Sequence, residues 1–145
     1  MPDTSTPLEF FLDRNLGRVA VPTALRDRGL IVHTLADVFG QREQSVPDEE
    51  WLEAAGASRW VVLTKDKRIR YRPVELAAVR RHAVRMFCLT RGDLTAAEQA
   101  DRFLRNLESI ERAASRAGPF IYAVHLRRVV EVWPARRRGR HGRAR

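Results

Sequence analysis

Short apolar runs alternate with amphipathic stretches along most of the chain, and this alternation restricts the fold more than any other feature. The runs are LEFFLD (8–13), LIVHTL (30–35), RWVVLT (59–64), VRMFCL (84–89) and FIYAVHL (120–126), followed at once by RRVVEVWP (127–134). Each has the length of a buried strand, and RWVVLT is apolar enough to be the centre of a parallel sheet. Between them lie candidate helices. AVPTALRDRG (20–29) places Val21, Ala24 and Leu25 on one face and terminates at Gly29. PDEEWLEAAG (47–56) stops at Gly56, and PVELAAVRRH (73–82) starts with proline. FGQREQS (39–45) reads as a polar loop. The longest helix is expected from Thr95 to Ala117. Thr95 and Glu98 have capping-box spacing, Ala100, Phe103, Leu104, Leu107 and Ile110 form one stripe, and Gly118-Pro119 closes it. The order βαβαβαβαββ predicts one α/β domain over residues 8–134, with a mostly parallel sheet flanked by helices.

Composition agrees with a globular chain, at 44% apolar and 31% charged residues in a total of 145. No apolar stretch reaches the roughly 20 residues that span a bilayer. The start, MPDTSTPLEFF, lacks a basic region and a long apolar core, so a cytoplasmic protein without a membrane segment is expected. The lone Cys88 excludes an internal disulfide, and its setting in VRMFCL reads as a buried structural thiol.

Parallel sheets place ligands at the carboxyl ends of their strands, near the switch in strand order. Three acids fall at such ends: Asp13 closes the first run, Asp66 follows the third, and Asp93 lies beyond the fourth in TRGD. Asp48, Glu49 and Glu50 stand in the first turn of the helix before the third strand. Acids gathered on one edge repel each other unless a cation sits among them, and magnesium or manganese suits carboxylate oxygens. Each acid also has a plainer role. Asp13 could cap the loop at Asn15, Asp66 could be a turn residue paired with Lys65 or Lys67, and Asp48 has capping-box spacing from Ser45. Glu49 and Glu50 complement a helix dipole, and Asp93 could be an entry-turn residue.

Asp66 is surrounded by cations in WVVLTKDKRIR, where Lys65 and Lys67 are the only lysines among 27 basic residues. Lys65, Lys67, Arg68 and Arg70 would hold the phosphates of a polyanion, with Arg14 beside Asp13 as a further contact; a solvated turn is the plainer reading. Six arginines and no acid fall in 136–145, two thirds of the net charge of +9. ARRRGRHGRAR (135–145) has no apolar periodicity and is expected to be a disordered, arginine-rich tail, either phosphate-binding or merely solubilising.

Other chemistries fit poorly. A phosphoacceptor receiver domain needs adjacent acids after its first strand and a lysine after a late one, whereas Asp13 is followed by Arg14. There is no Gly-x-Ser-x-Gly elbow and no glycine-rich phosphate loop. One cysteine and four scattered histidines offer no paired zinc spacing.

FFLDRNLG, VPDEEWL and WVVLTKDKRIR resemble, in order and spacing, the PIN-like nucleases, in particular the small bacterial subgroup related to VapC-type toxins. The resemblance covers roughly residues 8 to 93. It implies a PIN-like fold, a divalent metal, hydrolysis of RNA phosphodiester bonds, and a toxin role with a small antitoxin partner; a homodimer stays open. By that resemblance Asp13, Asp48 and Asp66 are catalytic and metal-binding, and Asp93 is positioned as the fourth ligand. The alternative is a non-catalytic nucleic-acid-binding or protein-interaction module on the same fold.

Overall fold

The computed structural model describes residues 7–17 and 19–134. The expected arginine-rich tail, 135–145, lies outside the described residues. Strands β1 (Glu9–Leu12), β2 (Ile31–Thr34), β3 (Val61–Thr64), β4 (Arg85–Leu89), β5 (Phe120–Val124) and β6 (Val129–Trp133) form one sheet in the order β2-β1-β3-β4-β5-β6. The pairings are parallel except β5 with β6, which is antiparallel. The α/β fold with a mostly parallel sheet is therefore as expected. Helices α1 (Ala20–Asp27), α2 (Leu35–Phe39), α3 (Asp48–Ser58), α4 (Pro73–Arg81), α5 (Ala96–Arg105) and α6 (Leu107–Ala114) occupy the connections.

Alternation along each strand divides the core in two. Phe10, Leu12, Val61, Leu63, Phe87 and Phe120 face one side, where Val21 and Leu25 of α1, Phe103 of α5 and Ile110 of α6 cover them. Phe11, Val62, Met86, Cys88 and Ile121 face the other, against Trp51 and Leu52 of α3 and Val79 of α4. A sheet covered on both faces explains why its strands read as apolar runs.

Four local expectations change. The single helix over 95–117 is two helices, α5 and α6, meeting at Asn106. Asn106 is buried, and its Nδ2 donates to the carbonyls of Arg102, His125 and Leu126 at 2.8, 2.9 and 3.3 Å. That side chain ties the helix junction to the β5–β6 turn. The polar loop at 39–45 belongs to a more regular stretch: α2 begins in a Thr34–Asp37 capping box, and a 3-10 segment follows over Gly40–Gln44.

Gly56 does not stop its helix, since α3 continues to Ser58. A Cβ at Gly56 would collide with the His82 carbonyl oxygen, so this glycine permits the close approach of α3 to the end of α4. Ser45 and Asp48 form no capping box. Pro47 is the N-cap of α3, and the Ser45 hydroxyl donates to the Arg42 carbonyl at 3.1 Å.

Candidate functional site

The chain goes from β1 outward to β2 and then returns to pair β3 on the other side of β1. The carboxyl ends of β1 and β3 consequently lie side by side at the switch in strand order, where open α/β sheets bind their ligands. Leu12 is in register with Leu63, and the Asp13 amide extends the ladder by donating to the Leu63 carbonyl at 3.1 Å. Asp13 and Thr64 are thereby neighbours, although 51 positions separate them in sequence.

Asp13 is only 3% exposed. Its Oδ2 accepts the Thr64 hydroxyl at 2.5 Å, and its Oδ1 accepts the Asn15 amide at 3.0 Å. Burial pushes its carboxyl above the usual aspartate range. The Thr64 and Asn15 hydrogen bonds pull it back, and the charges of Asp48 and Asp66 push it up again. The loop-capping role is real, since the Asn15 bond is made.

Thr64 serves Asp66 as well, accepting the Asp66 amide at 3.0 Å. Asp66 does not pair with Lys65 or Lys67 as the turn reading expects. Its Oδ1 does make a turn contact, accepting the Arg68 amide at 3.1 Å, and its ion-pair partner is Arg72, whose Nη1 and Nη2 donate to Oδ2 and Oδ1 at 2.6 and 3.4 Å. Arg72 is the N-cap residue of α4, in extended backbone before Pro73. The Asp66 hydrogen bonds, with weaker pulls from Glu75 and Asp48, hold its guanidinium above the ordinary arginine range against the effect of burial.

Asp48 opens α3, where its Oδ1 accepts the Trp51 indole N–H at 2.9 Å. Arg14, expected to meet nucleic acid, donates to the Glu43 and Val46 carbonyls at 3.2 and 2.7 Å. It thus fastens the loop after Asp13 to the segment leading into Asp48. Glu49 is exposed on α3, and Glu50 is bound by Arg42 through two hydrogen bonds of 2.9 and 2.8 Å.

Asp93 stands apart in its bonding. Its side chain is 71% exposed and is gripped by Arg91 at 3.0 and 2.9 Å. Lys67 and Arg68 are exposed beyond Asp66, while Lys65 and Arg70 are half-buried. The Arg70 guanidinium lies 4.8 Å from the centre of the exposed Tyr71 ring. Cys88 is buried among core residues, and burial, with Asp66 and Asp13 adding to it, pushes its thiol up to about 12. Such a thiol is inert, in keeping with a structural role.

Among the described residues, no three His, Cys, Asp or Glu side chains are placed to hold one metal ion. The donor set of Asp13, Asp48 and Asp66 is nevertheless of the kind a hard divalent cation takes, since such ions bind carboxylate oxygens. Reading the sequence does not single out Thr64, Arg72 or Trp51. Of these, Thr64 alone leaves a signal, as the residue two before Asp66 in LTKD.

Two aspartates, Asp13 and Asp66, follow neighbouring parallel strands at the switch in strand order of an α/β domain. The model of the PIN-like domain family matches residues 8–91, so the chain belongs to that family. It is 40% identical over 123 residues to the Mycobacterium tuberculosis protein named "Putative ribonuclease VapC45", covering 84% of this chain and 89% of that protein. No solved structure matches the chain.

Proposed function

We propose that this protein is a divalent-metal-dependent endoribonuclease, the toxin of a toxin–antitoxin pair. The observation that carries this reading is Asp13, a carboxylate at the strand switch whose ionised form is opposed first by burial and then by the charges of Asp48 and Asp66. The ribonuclease name of the 40% identical relative supports the substrate class. The toxin role and a small antitoxin partner rest on kinship with VapC-type proteins; a neighbouring reading frame for a small DNA-binding protein would identify that partner.

Asp13, Asp48 and Asp66 would hold magnesium or manganese, with Asp93 as the fourth acid once released from Arg91. The bound ion supplies charge stabilisation of the phosphoryl oxygens and an activated water. Thr64 holds Asp13 and the Asp66 backbone in fixed relation, so two of the acids are positioned by one hydroxyl. Arg14 fixes the approach of Asp48. Lys65, Lys67, Arg68 and Arg70 bind the phosphates flanking the scissile bond. No helix among the described residues is long and apolar enough to cross a membrane.

A non-catalytic RNA-binding or protein-interaction module is the second reading. It is favoured by Asp66 being already neutralised by Arg72, with no three acids placed on one ion among the described residues. The two are separated by incubating purified protein with RNA in magnesium, manganese or excess chelator, beside Asp13→Asn as a control for contaminating nuclease. Cleavage that needs metal and Asp13 establishes the enzyme. Binding without cleavage under every metal, or cleavage that survives chelation, rejects it.

A further inference from the structure

We propose that Arg72 holds the acid site closed in the free protein, its guanidinium occupying Asp66 so that a divalent ion must displace it before the carboxylates can share that ion. This rests on the reading of Asp13, Asp48 and Asp66 as metal ligands. Both Asp66 oxygens face Arg72, at 2.6 and 3.4 Å, Oδ1 also accepts the Arg68 amide at 3.1 Å, and the carboxylate is 15% exposed against 38% for the arginine. An oxygen bound by a guanidinium cannot simultaneously offer that lone-pair direction to a metal, so the two cations compete for one group.

The position of Arg72 suits a displaceable group. The Pro73 ring disfavours helical backbone at Arg72, which adopts φ −102° and ψ 114° as the N-cap of α4. Its Cα is thus fixed by the helix while its long side chain reaches back to Asp66 from the surface. Rotation about the side-chain bonds frees Asp66 without moving the backbone. Among the cations around Asp66, the neighbours Lys65 and Lys67 are passed over, and Arg72 makes the two-toothed contact that only a guanidinium can. The same contact explains why the acids do not repel one another apart in the absence of metal: Arg72 neutralises one of them and also feels Asp48.

Displacement also gives the freed guanidinium a second use. It is released at the edge where RNA arrives, with five donors and a charge that suits a phosphate. Metal entry and substrate binding are then coupled through one side chain, each favouring the arrangement in which Arg72 has left Asp66.

The test is manganese binding to the full chain without RNA, by calorimetry or by loss of the free-ion paramagnetic resonance signal. Arg72→Gln should bind manganese about three- to tenfold more tightly than the unmodified protein, the range expected for removing one half-buried competing ion pair. Arg70→Gln removes an equal charge that makes no bond to Asp66 and should tighten binding much less. In an Asp66→Asn background, Arg72→Gln should no longer matter. Circular dichroism checks that each variant is folded, and Arg72→Lys, which keeps the charge but not the fork, should fall between the unmodified protein and Arg72→Gln. Manganese affinity that is unchanged or weaker in folded Arg72→Gln, or equally tightened by Arg70→Gln, overturns the closed-site role while leaving the metal ligands standing. Failure of manganese to bind any of these proteins overturns the metal reading, and this inference with it.

Discussion

Thr64 donates its hydroxyl proton to Asp13 across the seam between β1 and β3, with 2.5 Å between the two oxygens. The same oxygen accepts the Asp66 amide at 3.0 Å. One buried hydroxyl therefore sets the spacing between the strand-end acid of β1 and the loop acid of β3. Because the donor goes to a carboxylate, it stabilises the ionised form of Asp13, which burial opposes.

The first prediction concerns pH. Asp13 has an ordinary value of 3.8 and is raised in the folded protein, so the folded state binds the proton more tightly than the unfolded chain. Stability from this group is present below 3.8 and is lost as pH rises through the folded value. Thr64→Val removes a bond that lowers that value, so the loss should extend to higher pH. The variant should also lose about 1–3 kcal/mol because the Asp66 amide is left without its acceptor. Denaturant unfolding in chelator from pH 4 to 8 reads both effects. A pH dependence identical to that of the unmodified protein would remove Thr64 from the control of Asp13.

The acids themselves should separate activity from stability. Asp13→Asn and Asp66→Asn each keep the volume and lose a charged oxygen ligand, so metal-dependent RNA cleavage should fall by at least about a hundredfold. For Asp13→Asn the melting temperature in chelator should hold or rise, since a buried charge opposed by its neighbours is gone. Asp48→Asn should behave alike in activity. Asp93→Asn decides the fourth ligand: full activity would assign Asp93 to its exposed pair with Arg91 alone. Retained cleavage in the Asp13 or Asp66 variant would strike that residue from the site.

What can be read from sequence follows the reach of local signals. Apolar runs expose the strands because both sheet faces are covered, and Asp13 and Asp66 are legible because they lie just after such runs. Partners brought together by folding are not. Nothing in RIRYRP marks Arg72 as the partner of Asp66, since the pairing depends on how the turn after β3 folds back. The break at Asn106 is hidden for the same reason. The apolar stripe of Phe103, Leu107 and Ile110 runs straight through it, and only the β5–β6 carbonyls, contributed from about twenty residues away, give the asparagine its purpose.

That junction can be tested alone. Asn106→Leu restores the side chain expected of a continuous helix but leaves the His125 and Leu126 carbonyls without their donor. It should destabilise the protein by about 1–3 kcal/mol, measured by urea unfolding, despite the better helix propensity of leucine. A neutral or stabilising result would show that the Asn106 bonds to the β5–β6 turn are dispensable.

The cationic turn after β3 and the arginine-rich tail should divide the work of binding RNA. Deleting residues 136–145 removes six charges, so affinity should fall and its salt dependence should flatten. For single strands, removing one cation that neutralises a phosphate lowers the slope of log affinity against log salt by roughly 0.7. The cleavage rate at saturating RNA should barely change, because binding energy expressed equally in ground and transition states does not lower the chemical barrier. Lys65 and Lys67 flank Asp66 itself, so changing both to alanine strips charge from beside the scissile phosphate and should reduce the saturated rate as well. Filter binding across a salt series, with single-turnover cleavage on the same preparations, separates the two. A tail deletion that abolishes the saturated rate, or a double alanine variant that cleaves at the full rate, would show that the charges near Asp66 are not the ones that act on the reacting phosphate.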